Sequence, residues 1–229
     1  KTRAIIINTP NNPTGKVFNK KELEFIAELC QRYDSLAITD EIYEHILYDD
    51  AKHEPIWTLP GMAERTIVIN SVSKTYSVTG WRIGFVAASA ELTASIRKVH
   101  DFLTVGAAAP LQMAVAEAVR FEPQYYEELA SFYRERRDYL LKVLQEVGLG
   151  CVRPEGAYYI MADIRPMGWD DDVACAFHLA EKIGVAVVPG SSFYRPDQPD
   201  SHTFIRFCFC KKMETLEAAA ERLRQWRKK

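Results

Sequence analysis

No uninterrupted apolar run in this sequence approaches the length of a bilayer crossing, so a helical membrane span is not expected. Excess charge is missing too. Over 229 residues, 29 Lys and Arg stand against 31 Asp and Glu, and a formal charge of −2 gives no basis for capturing nucleic acid or an anionic membrane. Cysteine is sparse and odd in number. Cys30, Cys151, Cys175, Cys208 and Cys210 lack the spacings of a zinc site or disulfide framework, which fits a reducing, cytoplasmic setting. Cys208 and Cys210 alternate onto one face of an expected strand, where small hydrophobic filler is favoured over a redox pair. The opening KTRAIIINTP is basic for three positions and then turns into a strand, unlike a secretory leader. There is no internal repeat or low-complexity tract.

What is present centres on Ser71–Gly84, SVSKTYSVTGWRIG, which follows an apolar run, Thr66–Asn70, with the look of a buried parallel strand. Lys74 then lies just past a strand's C-terminal end, where open α/β sheets place their chemistry. An isolated lysine there is ordinarily a solvated amine. Its neighbours argue for more: Ser71, Ser73 and Ser77 leave room for a planar ligand, and Ser71 and Arg82 offer donors to an anion. Gly80 and Gly84 permit turning or close approach. An amine beside an anion anchor is what a Schiff-base site for a phosphorylated aldehyde needs.

Around this stretch the chain alternates strands and helices. Ile5–Asn8 feeds the turn TPNNPTG. Asn19 and Glu22 form a capping box for a helix that buries Leu23, Ile26 and Cys30. Leu36–Thr39 is a strand ending in Asp40, itself either a turn cap or a functional carboxylate. Tyr48–Pro55 reads as an exposed excursion, Trp81–Ala88 as a strand and Ala90–Leu103 as a helix, before a small-residue tract, Thr104–Pro110. Pro123 opens a long helix to Gly148. A second, smaller α+β unit follows, with strands at Tyr158–Ala162, Val185–Val188 and Phe204–Phe209 and helices at about 172–184 and 213–226. Pro189–Phe193 is expected to be a flexible loop. Arg206 lies inside the apolar strand FIRFCF. Burying a guanidinium is costly unless it is paired, so a remote partner or an anionic ligand is implied.

Taken together, NTPNNPTG, ITDEIY, SVSK with Arg82 downstream, PEGAYY and IRF, in that order, resemble the class I/II pyridoxal-phosphate aminotransferases of the aspartate aminotransferase fold type, and within them the bacterial kynurenine/glutamine/methionine group. The resemblance covers nearly the whole chain. It implies an α/β fold: part of a large domain with a mostly parallel sheet over residues 1–122, and a small α+β domain over 123–229. Members are nearly twice this long, and this chain resembles their C-terminal part; an opening without methionine, directly in a strand, suggests the middle of a gene product.

The resemblance also assigns roles. Lys74 holds pyridoxal 5′-phosphate and acts as the base; Asp40 faces the ring nitrogen; Asn12, in an Asn-Pro element that is often cis, and Tyr43 address the phenolic oxygen; Ser71 and Arg82 take part of the phosphate; Arg206 forks onto the substrate carboxylate, and Asn12 also serves in substrate binding. Gly156 lines the substrate side. The implied reaction is transamination between an amino acid and a 2-oxo acid in a homodimer. Three alternatives stay open: carbon–sulfur lyase or decarboxylase chemistry on the same fold, a non-catalytic regulator, and a truncated interaction-only product. With a stacking aromatic and part of the phosphate cradle expected upstream of Lys1, this chain is expected to be weakly active or inactive.

Overall fold

The computed structural model describes residues 1–195, 197–198 and 200–227. The chain divides into two compact units, one of residues 1–11 and 16–129, the other of 12–15 and 130–229.

In the first unit, three β-branched runs form β1 (Ala4–Asn8), β2 (Leu36–Asp40) and β3 (Thr66–Ser71), paired in parallel, and β4 (Gly84–Ala87) runs antiparallel to β3. Asn8 pairs with Asp40 and Asp40 with Ile69, so the polar residues ending β1 and β2 and the Ser71 end of β3 share one edge of the sheet. Helix α1 (Lys20–Arg32) starts on the expected capping box: Glu22 N–H donates to Asn19 Oδ1 at 3.1 Å and Asn19 N–H to Glu22 Oε2 at 2.9 Å. Leu23, Ala27 and Cys30 recur every three or four residues and pack with Ile7, Ala37, Ile56 and Met62 into a core. Fully burying a leucine or isoleucine there contributes about 1.5–3 kcal/mol.

After the short helix α2 (Val72–Thr75) the chain departs from expectation. Residues Thr79–Trp81 make a 3₁₀ turn and Arg82 adopts a left-handed φ of 57°, so the strand begins only at Gly84. Helices α3 (Ala90–Leu103) and α4 (Ala109–Ala118) contain no buried residue. Helix α5 (Pro123–Glu146) begins in the first unit and continues in the second.

The second unit holds an antiparallel sheet in the order β5-β6-β8-β7, from β5 (Gly150–Cys151), β6 (Tyr159–Asp163), β7 (Val188–Pro189) and β8 (Phe204–Cys208). Helix α6 (Asp172–His178) is shorter than the expected 172–184, because residues 179–183 form a π-helical turn closed by Gly184 at φ 77°. Helix α7 (Met213–Arg227) closes the unit, burying Leu216, Ala220, Leu223 and Trp226. Pro189–Phe193, expected as a loop, contains a 3₁₀ turn whose Ser191 N–H donates to the fully buried Asp172 at 2.7 Å. Among the described residues, no helix is long and apolar enough to cross a membrane.

Candidate active site

In the first unit, five of the singled-out residues lie at or just beyond the C-terminal ends of β2 and β3. Asp40 ends β2. Its Oδ1 accepts from the Ile42 N–H at 3.3 Å, and burial raises its pKa above the ordinary carboxylate value; Lys74 and the Ile42 hydrogen bond oppose that rise, while Glu41 adds to it. Lys74 is thus an electrostatic neighbour of Asp40. It sits half-buried in α2 between the buried Ser73 and Thr75, and its Nζ makes no hydrogen bond or ion pair among the described residues. Tyr43 is buried in the turn after β2.

Ser71 caps α2. Its Oγ accepts from Ser73 N–H at 3.0 Å, donates to the Ile83 carbonyl at 2.9 Å and lies 2.6 Å from Ser73 Oγ. Arg82 is exposed and donates to the Thr79 carbonyl at 3.0 Å. Ser71, Ser73 and Arg82 line a cleft of about 500 Å³ with Gly84, Arg97 and His100. Ile69, Ile83, Phe85, Val86 and Ile96 make the rest of that lining apolar, and the serine hydroxyls are engaged with each other and the Ile83 carbonyl, so Arg82 and Arg97 are the charged donors it offers an oxyanion.

Two features escaped the sequence reading. Tyr125 Oη donates to the Thr75 carbonyl at 2.8 Å and Tyr76 Oη lies 2.8 Å from Tyr126 Oη, so two tyrosines at the start of α5 clamp the end of the lysine-bearing helix. Glu41, which had no assigned role, is buried: its carboxylate accepts from Thr39 Oγ1 at 2.7 Å and meets His53 Nε2 at 2.8 Å. Tyr48 is buried as well, so the 48–55 segment is not wholly exposed. These partners are up to 50 residues apart in the chain, and only the tandem Tyr125-Tyr126 gave any local hint.

The second unit gathers the other pair. The Asn12–Pro13 bond is cis, as is Thr9–Pro10, which the sequence reading did not single out. Asn12 Oδ1 accepts from Arg206 Nη1 at 2.6 Å, which leaves the amide nitrogen as the donor side of Asn12. The Arg206 guanidinium carbon lies 4.2 Å from the Tyr159 ring centre and 4.6 Å from that of Phe193, within cation–π range of both. Arg206 Nε is buried without a hydrogen-bond partner, and no carboxylate among the described residues pairs with this arginine. Gly156 lies in the turn before β6, where its N–H donates to the Gly15 carbonyl at 2.9 Å.

The residues of the first unit suit a phosphorylated pyridine aldehyde: an unpaired amine, a desolvated carboxyl near it, and, separately, the Arg82 and Arg97 guanidinium groups in a largely apolar cleft. Those of the second unit present a buried donor edge suited to a carboxylate.

The family model described as "Aminotransferase class I and II" matches residues 1–223. The chain is 42% identical over 230 residues to the probable N-succinyldiaminopimelate aminotransferase DapC of Mycobacterium tuberculosis, covering 97% of this chain and 58% of the relative. It is 39% identical over 225 residues to the methionine aminotransferase of Escherichia coli, covering 98% and 58%. A solved N-succinyldiaminopimelate aminotransferase from Mycobacterium tuberculosis superimposes with a TM-score of 0.94 at 43% identity, over 97% of this chain and 58% of that one. The chain therefore spans somewhat over half the length of these relatives.

Proposed function

Because this chain belongs to the class I and II aminotransferases, we propose that it carries the lysine-bearing and carboxylate-binding parts of an enzyme that transfers an amino group between an amino acid and a 2-oxo acid, using pyridoxal 5′-phosphate. The observation that carries this reading is Arg206, a guanidinium packed between Tyr159 and Phe193 with a buried Nε that no acceptor among the described residues satisfies. A planar, two-pronged anion completes it, and the α-carboxylate of an amino acid has that shape.

When bound, the cofactor supplies a carbonyl that exchanges with the substrate's amino group and a pyridinium ring that withdraws electrons from the substrate Cα. Lys74 would anchor it and, once released, accept the Cα proton at Nζ. Asp40 would pair with the ring nitrogen, and a positive charge there would offset the cost of burying its carboxylate. Tyr43 and Asn12 would serve as donors to the cofactor's ring oxygen, and Ser71 and Arg82 would take part of its phosphate. Arg206 would hold the substrate through its α-carboxylate. Residues 1–122 are the cofactor-binding part and 123–229 the substrate-closing part of a cytoplasmic homodimer.

The test is a titration of the purified chain with pyridoxal 5′-phosphate, followed by borohydride reduction and peptide mapping. A saturable visible band with the label on Lys74 is expected, and keto-acid-dependent amino transfer then separates transamination from lyase chemistry. Label scattered over surface lysines would overturn the assignment of Lys74 in this chain.

A further inference from the structure

Cys208 ends β8 and Cys210 lies two residues further on. Phe209 between them is fully buried and its N–H donates to the Tyr158 carbonyl at 3.0 Å, so the intervening residue points into the core while both cysteines face the other way. Their sulfurs lie 3.2 Å apart, and both residues are half-buried. Arg206 occupies the same face of β8, two residues before Cys208. Tyr159, on whose ring the Arg206 guanidinium rests, is the cross-strand partner of Cys208.

The other cysteines differ. Burial pushes the Cys151 and Cys175 thiols up to about 12 and also raises that of Cys30, and none of the three has another thiol beside it. Cys208 is shifted the opposite way, chiefly by the hydrogen bond from the Cys210 thiol, with Lys211 and Arg206 adding positive charge; the second proton of the pair is held correspondingly tightly.

We propose that Cys208 and Cys210 form a peroxide-reactive dithiol that closes into an intrachain disulfide next to Arg206. The Cys208 thiolate attacks one oxygen of hydrogen peroxide; the O–O bond breaks, hydroxide leaves, and Cys208 becomes a sulfenic acid. The Cys210 sulfur then attacks the Cys208 sulfur, forming the S–S bond, breaking the S–O bond and releasing the second oxygen as hydroxide. The Cys210 proton and one from solvent convert the two hydroxides to water. Two electrons pass from the sulfurs to the peroxide, and a dithiol reverses the change. The proposal does not depend on the role given to Arg206.

The test is mass spectrometry of the whole chain after mild hydrogen peroxide, maleimide blocking and trypsin digestion. The peptide spanning residues 207–211 should lose two hydrogens, take up no maleimide and recover both thiols after dithiothreitol, while Cys30, Cys151 and Cys175 remain as they were. In Cys210→Ser, Cys208 should stop at a sulfenic acid that dimedone traps. The proposal is overturned if peptide 207–211 of the wild-type chain still takes up two maleimides. It is also overturned if Cys208 advances to the sulfinic acid as fast in the wild type as in Cys210→Ser, since a resolving thiol must intercept it.

Discussion

Replacing Gly15 by alanine tests the packing that holds the Asn12 turn in the second unit. Gly15 has φ +71°, and a Cβ built on it would lie 2.3 Å from Pro154 Cβ, 2.9 Å from the Gly156 carbonyl oxygen and 3.1 Å from Pro154 Cα. Carbon atoms prefer about 3.5–4.0 Å, so the overlap exceeds an ångström, against a ring and backbone that cannot rotate away. Moving Gly15 aside sacrifices the hydrogen bonds its carbonyl accepts from Glu155 and Gly156 N–H, both 2.9 Å. Left-handed backbone costs alanine about 1 kcal/mol, and overpacking adds about 1–3 kcal/mol. At about 2–4 °C per kcal/mol for a chain of this size, Gly15→Ala should melt roughly 10 °C below wild type by circular dichroism. Gly80→Ala is the control, since a Cβ there meets nothing within 4 Å, and its Tm should hardly move. A Gly15→Ala melt indistinguishable from that control would refute the steric argument.

Burial raises the Asp40 pKa, so its neutral form contributes stability that is complete below the ordinary 3.8 and is lost as pH rises through the native value. Asp40→Asn should therefore raise the Tm of the cofactor-free chain at pH 7 and flatten that acid-side slope; an unchanged pH–stability profile would contradict it. Arg206→Lys keeps the charge but loses the fork and the flat face between Tyr159 and Phe193; in a full-length enzyme with the proposed function, steady-state kinetics should show KM for the amino acid rising roughly 10–100-fold with a smaller change in kcat. Tyr125→Phe removes the donor to the Thr75 carbonyl, a bond worth about 1 kcal/mol, and should lower Tm by a few degrees; a melt equal to wild type would show that the clamp contributes nothing.

The parts of the fold legible in the sequence were those encoded within a few residues. The capping box at Asn19 is one: the two side chains that close it are three positions apart, and both bonds are present. The apolar period of α1 is another. Boundaries failed where a backbone angle outweighed hydropathy. Trp81 and Ile83 read as strand, yet the left-handed turn at Arg82 delays β4 to Gly84, and no pattern of apolar residues reports the sign of φ. The expected helix to Gly184 likewise continued past His178 only as a π turn, because side-chain periodicity cannot distinguish α from π winding over one turn.

The grouping of Asp40 with Lys74 was legible for a topological reason. Each follows an apolar run, and parallel pairing of β2 with β3, Asp40 opposite Ile69, brings the two strand ends to one edge whatever the intervening loop does. Arg206 was legible for an energetic one: a guanidinium in an apolar strand requires an acceptor, and that requirement persists in the fold as an unsatisfied Nε. Neither argument reaches the tyrosine clamp or the Glu41–His53 contact, because a tyrosine or glutamate is tolerated at the surface and needs no partner to explain it. Such residues acquire meaning only from the carbonyl or imidazole that folding delivers from elsewhere in the chain. A sequence therefore exposes the groups that would be costly to leave alone and conceals those that would not.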